Sequence, residues 1–367
     1  MFSFVVNGYT PHDGAARRAV TPPGCDLRLA ARDVTVGRPV PSQLVTDRPL
    51  NGKAMMIMRV FVAGGSGVLG RRLVPQLVER GHQVTATATR AARLDVLERL
   101  GAEGVVMDGL DPASVGDAVA AARPDVIVHQ MTAISVAHAG KADMKHMDRW
   151  FAGTNRLRTE GTDHLLAAAE NSGVPHVVAQ SYGAWNGIRQ GGWVKTEEDP
   201  VDPMTGTPAE PGMRAIRHVE DTVAKAGGAV LRYGWFYGPG AMDDLVEPVR
   251  KRQFPVVGGG AGHCSWIHLD DAAAATVLAV EQQARGVFAI VDDEPAPVAE
   301  WLPHLAECAG AKRPMRMPAW LARPLAGDVA VLMMTEGRGF SNAKAKRELG
   351  WEPRHPSWRQ GFKEELA

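Results

Sequence analysis

From residue 58 onward the chain alternates between two hydrophobic periods. RVFVA (Arg59–Ala63) is a short β-branched run. GGSGVLG follows it, and then apolar residues recur at Leu69, Leu73, Leu77 and Val78, the spacing of one helical face. Gly81 ends that helix, as a glycine after a C-terminus does. QVTATAT predicts a second strand and residues 91–100 a second helix. GVVMD, DVIVH, HVVAQ and AVLRY supply four more strands, separated by helical stretches such as 155–171. Strands spaced by helices of about ten residues or more predict an α/β fold, a Rossmann-type doubly wound parallel sheet. A smaller C-terminal lobe is expected to complete it.

The first 54 residues have a different texture, rich in Pro and Arg, without Glu and without sustained periodicity. They read as a leader with no role of its own, disordered or the result of a start assigned too far upstream. Their opening MFSFVV is too short for a signal-peptide core. The expected division is a leader over 1–54, a nucleotide-binding domain over 55–235 and a substrate lobe over 236–367, with 270–291 returning to the first domain.

Composition narrows the function classes. The 367 residues are 45% hydrophobic and 22% charged, and the 41 basic residues balance the 41 acidic ones. That balance argues against binding nucleic acid through bulk charge. Three cysteines without a C-x-x-C spacing fit a reducing compartment better than a disulfide scaffold or a zinc module. With no apolar run of about 18–20 residues, the expectation is a soluble cytoplasmic protein with a small-molecule substrate, not held to a membrane.

The first glycine turn carries the strongest chemistry. Gly64, Gly67 and Gly70 stand between strand and helix in the arrangement G-x-x-G-x-x-G, with Ser66, Val68 and Leu69 among them. Gly64 allows a sharp turn, Gly67 leaves backbone bare for a pyrophosphate at the helix N-terminus, and Gly70 lets helix and strand pack. A site for NAD usually has an acid about 20 residues past the glycines. Here Arg90 stands twenty positions after Gly70, and Arg93 follows. A guanidinium suits a 2′-phosphate, so NADP is the expected coenzyme, with NAD the alternative.

These stretches and several later ones resemble the short-chain dehydrogenase/reductase superfamily, in its extended epimerase/dehydratase branch. The resemblance rests on VFVAGGSGVLG, MDGLD, VIVHQMTA, TNRLRTEGTDHLLAAA, LRYGWFYGPG, WIHLDDAA and LGWEP, and covers nearly the whole chain after the leader. It implies that Asp108 lies at the adenine and that Gln130, Met131, Thr132 and Asn155 lie near the coenzyme. It also implies dimerisation through two helices of the sheet domain, so a homodimer is a candidate state.

The family's catalytic pattern is a Tyr-x-x-x-Lys helix with a Ser or Thr at the end of the fifth strand. Ser181, in AQSYGAW, matches the Ser. The aligned helix positions hold Gly212 and Ile216, or Met213 and Arg217 in the next register, and none of the chain's four tyrosines has Lys four residues later. Tyr182 is the candidate proton donor, its other reading being an aromatic wall. His218, on the helix that presents the pair in the family, could transfer a proton but reads first as a polar residue on the surface, and Tyr233 and Tyr237 read as packing. Asp270 and Asp271 read as a helix cap and first-turn acid, and Asp292, Asp293 and Glu294 as a solvated loop. No histidine pair has metal-ligand spacing on a helix, so no metal is expected. Trp185, Trp193, Trp235 and Phe236 are expected near the cleft and suit a substrate with an apolar or ring-shaped face.

The sequence therefore predicts an NAD(P)-dependent oxidoreductase or epimerase/dehydratase-like enzyme acting on a small carbonyl, alcohol or sugar-type substrate. Ser181 would bond the substrate oxygen and Tyr182 would move the proton. A coenzyme-binding sensor without turnover is the alternative.

Overall fold

The computed structural model describes residues 56–134 and 143–366. The expected leader lies outside them. Seven strands form a parallel sheet: β1 (Arg59–Ala63), β2 (Gln83–Ala88), β3 (Glu103–Val106), β4 (Val126–His129), β5 (Val177–Tyr182), β6 (Ala229–Tyr233) and β7 (Gly286–Ile290). Their spatial order is β7-β6-β5-β4-β1-β2-β3, with Val60 paired to Val84 on one side and Val126 on the other. The order reverses beside β1, the switch point at which open α/β sheets bind ligands.

Alternation along β1 divides the two cores. Val60 and Val62 pack with Leu73 and Leu77 of α1 (Gly70–Glu79) and with the apolar face of α7 (Leu269–Glu281). Phe61 and Ala63 face the other way, against α3 (Pro112–Ala122) and α5 (Glu160–Asn171). Because side chains alternate across a strand, a sheet buried on both faces needs apolar residues at nearly every position. All of β4 is accordingly buried. Between α1 and α3 lies the short α2 (Leu94–Arg99); α4 (Ala152–Arg158) and α6 (Glu210–Lys225) pack on each other beside β5.

A third core fills the C-terminal part, where Trp266 meets Trp301 and Phe362 edge to face and Trp358 packs tilted on Phe362. Two readings of the charged residues change here. His268, not an aspartate, caps α7 by accepting the Asp270 N–H at 3.2 Å, while buried Asp271 accepts the backbone N–H groups of Arg354 and His355. Asp292 is buried rather than solvated and accepts the N–H groups of Glu294 and Trp358; burial holds its carboxyl well above the usual carboxylate range. In both places a carboxylate stands in for missing backbone acceptors, which periodicity does not reveal.

Candidate active site

Gly64 leaves β1 at a φ of +89°, and its N–H donates to Thr87 Oγ1 at 2.9 Å. A Cβ there would lie 2.7 Å from the carbonyl oxygen of Gln130. The position therefore needs glycine both for its backbone conformation and for the close approach of β4. A Cβ on Gly70 would lie 2.3 Å from the carbonyl oxygen of Gly65, so the turn and the start of α1 are in direct backbone contact. Gly67 is different: a Cβ there would meet only the Gly64 carbonyl oxygen, at 3.2 Å. The helix behind it has no side-chain cap and no acid in its first turn, leaving a bare, electropositive end.

This turn forms one end of a cavity of about 340 Å³. Gly64, Ser66, Gly67, Val68, Leu69 and Gly70 line it, then Asp108, then Gln130, Met131 and Thr132, and finally Ser181 and Tyr182. Two residues singled out in the sequence stand elsewhere. Arg90 is exposed, and Arg93, at the end of the 3₁₀ turn Ala91–Arg93, lines the cavity instead. Asn155 turns towards α6: its Oδ1 lies 3.7 Å from where a Cβ of Gly212 would be, and has no hydrogen-bond partner. Of the four aromatic residues, Trp235 and Phe236 line the cavity and Trp185 a smaller one behind it. Trp193 is 40% exposed, held between His263 and the Arg338 guanidinium.

The catalytic candidates sit at the far end. Ser181 donates its hydroxyl proton to Glu220 Oε1 at 2.7 Å, and Glu220 receives Arg232 Nε and Nη2 at 2.8 and 2.7 Å. With its proton committed inward, Ser181 offers the cavity an acceptor rather than a donor. Tyr182 accepts a hydrogen bond from Trp235 Nε1. Burial, with the Cys264 thiol nearby, pushes the Tyr182 phenol well above its ordinary range, which makes it a weak proton donor and an apt aromatic wall. Gln130 donates to Tyr233 at 3.2 Å and keeps a buried Oε1 without a partner. His218 is tied to Asp163 at 2.7 Å, on the surface. Gly212 and Ile216 of α6 line the smaller cavity.

Arg158 escaped the sequence reading. It ends α4, is 9% exposed and lines both cavities. Burial lowers its pKa to about 10, so it remains charged at neutral pH. The available signal was its place three residues after Asn155, on the same helical side. Away from the cleft, His268, Asp271 and His355 lie together, but Asp271 is occupied by backbone N–H groups and His268 Nδ1 accepts one as well.

The turn, the switch point and the sheet define the class: the chain belongs to the NAD dependent epimerase/dehydratase family, which residues 60–290 match. A Streptomyces protein named 3-diazoavenalumate denitrifying reductase is 44% identical over 314 residues, 83% of this chain and 99% of that one. Among solved structures, the fold is similar to Thermotoga maritima UDP-glucose 4-epimerase (TM-score 0.65, 23% identity, 84% of this chain and 97% of that one). A human epimerase family protein solved with NADPH is also similar (TM-score 0.63, 19% identity, 84% of this chain and 98% of that one). Among the described residues no helix is long and apolar enough to cross a membrane.

Proposed function

We propose that this chain is an NADPH-dependent reductase that replaces the diazo group of a carboxylate-bearing substrate by hydrogen, releasing dinitrogen. The observation that carries the reductase reading is the single cavity running from the bare glycine turn to Ser181 and Tyr182. The cradle fits a pyridine dinucleotide: Gly67 leaves room for the diphosphate, Asp108 lines the same cavity for the adenosine, and Gln130–Thr132 line it as well. Arg93 on the cavity wall suits a 2′-phosphate. The substrate class is supported by the Streptomyces relative, whose name gives a diazo carboxylate as substrate and loss of nitrogen as outcome.

The bound coenzyme would supply hydride, two electrons with one hydrogen. In a diazonium substrate, the carbon–hydrogen bond forms as the carbon–nitrogen bond breaks, and dinitrogen leaves with that bond's electron pair. Atoms and charge then balance with no proton taken up. Carbonyl reduction instead requires a donor to the developing alkoxide. The site observed here fits the former: Ser181 gives its proton to Glu220, and Tyr182 is a weak donor. Trp235, Phe236 and Tyr182 give the cavity an aromatic lining there.

The test follows NADPH oxidation with an aryl diazonium acid and traces the hydrogen. Coenzyme deuterated at its hydride position should deuterate the product carbon, and solvent deuterium should not. Deuterium arriving from water would refute hydride transfer. Binding of NADPH with no consumption over a broad diazo and carbonyl panel would favour the sensor instead.

A further inference from the structure

Behind the main cavity lies a second one of about 60 Å³, sharing with it Ile134, Arg158, Tyr182 and Trp235. Its other walls are apolar, among them Met147, Trp150, Trp185, Met213 and Met333, and Arg158 is the one charged residue in its lining. The Arg158 Nε has no hydrogen-bond partner, and no acid among the described residues pairs with the guanidinium. Nearby Glu220 is already engaged by Arg232 and Ser181. A buried cation without a counterion is strongly unfavourable, and a planar guanidinium is matched geometrically by a carboxylate. Gly212 of α6 is part of the chamber's lining and adds no side chain to it.

We propose that Arg158 and this chamber form a carboxylate subsite, which takes the acid end of a substrate with a ring-shaped face while the reacting end lies in the main cavity near Ser181. The chamber holds a carboxylate and the first carbons attached to it, but not a whole ring system, so the ring stays forward against Trp235 and Tyr182. This placement rests on the reductase reading for its orientation. Arg158 then selects the substrate's acid form over its neutral esters and amides.

The experiment is calorimetric titration of the NADP-saturated full chain with cinnamate and with methyl cinnamate; saturation keeps the glycine cradle occupied. Cinnamate should bind at least about tenfold more tightly than the ester, a charge-assisted difference. Arg158→Met should erase that preference while leaving NADPH affinity unchanged and the melting temperature no lower, since it removes an uncompensated charge. A purely structural arginine would instead lower the melting temperature. Arg158→Lys should keep part of the preference, and it carries the test should the methionine variant not fold. Equal or tighter binding of the ester, no binding of cinnamate, or an unchanged preference in Arg158→Met would each overturn the subsite. The reductase reading fails separately, if NADPH is neither bound nor consumed, whatever the acid preference.

Discussion

Glu220 is the post on which the reacting end of the cavity stands, and its removal has a calculable effect. Glu220 and Arg232 are 7% and 4% exposed, joined by two hydrogen bonds of 2.8 and 2.7 Å, and Ser181 adds a third of 2.7 Å. Glu220→Leu leaves the Arg232 guanidinium buried and uncompensated, which costs about 3–5 kcal/mol. An unfolding entropy of about 2 cal/mol/K per residue, over a folded part of roughly 300 residues, makes each kcal/mol worth about 1.5 °C. A loss of about 4 kcal/mol therefore lowers the melting temperature by about 6 °C. Arg232→Met should destabilise comparably, by stranding the carboxylate. The double variant Glu220→Leu with Arg232→Met strands neither charge and should recover most of the loss. Thermal unfolding by circular dichroism at neutral pH reads all four proteins. Single variants within about 1 °C of the wild type, or a double variant whose loss equals the sum of the singles, would refute the argument.

Other perturbations test the remaining parts of the site. Gly67→Asp places a carboxylate at the diphosphate position and should weaken NADPH binding at least about hundredfold, as several kcal/mol of like-charge repulsion implies; calorimetry that finds unchanged affinity would contradict the cradle. Arg93→Ser should weaken NADPH binding about tenfold or more and leave NADH nearly unaffected, whereas Arg90→Ser should do little; the reverse pattern would restore Arg90 to the coenzyme. His129 is buried against Thr162 and burial lowers its pKa to about 4, so the unfolded chain binds its proton more tightly than the folded one. Its contribution is full above pH ~6.5 and falls between there and pH ~4, by about 3 kcal/mol in all. Denaturant melts of His129→Gln should show that part of the pH dependence flattened, and an unchanged slope would count against the burial argument.

The sheet was legible because both its faces are covered. Continuous β-branched runs such as VIVH and HVVAQ have no other economical use, and a glycine turn between such a run and a periodic helix has a specific meaning. The glycine-turn end of the cavity was legible for the same local reason, since Gly64–Gly70 shape it through backbone. The reacting end was not. Ser181 could be found by position, but the direction of its proton depends on Glu220 and Arg232, which lie 39 and 51 positions away. Arg158 has the local pattern of a surface helix charge, and only the packing of α4 against α6 buries it. Arg93, and not Arg90, lines the cavity, after the chain beyond β2 tightens into a 3₁₀ turn that the sequence pattern does not announce.

The edge strand β7 has a consequence for how the chain is made. It comes from residues 286–290, about 50 residues after β6, and α7 just before it covers the same face of β1 as α1. A polypeptide emerging from the ribosome would thus display an uncapped β6 and an unroofed α1 until nearly four-fifths of it has been synthesised. Fragments ending near residue 235 should therefore be sticky and short-lived, and dependent on chaperones, even though the whole glycine turn is already present in them.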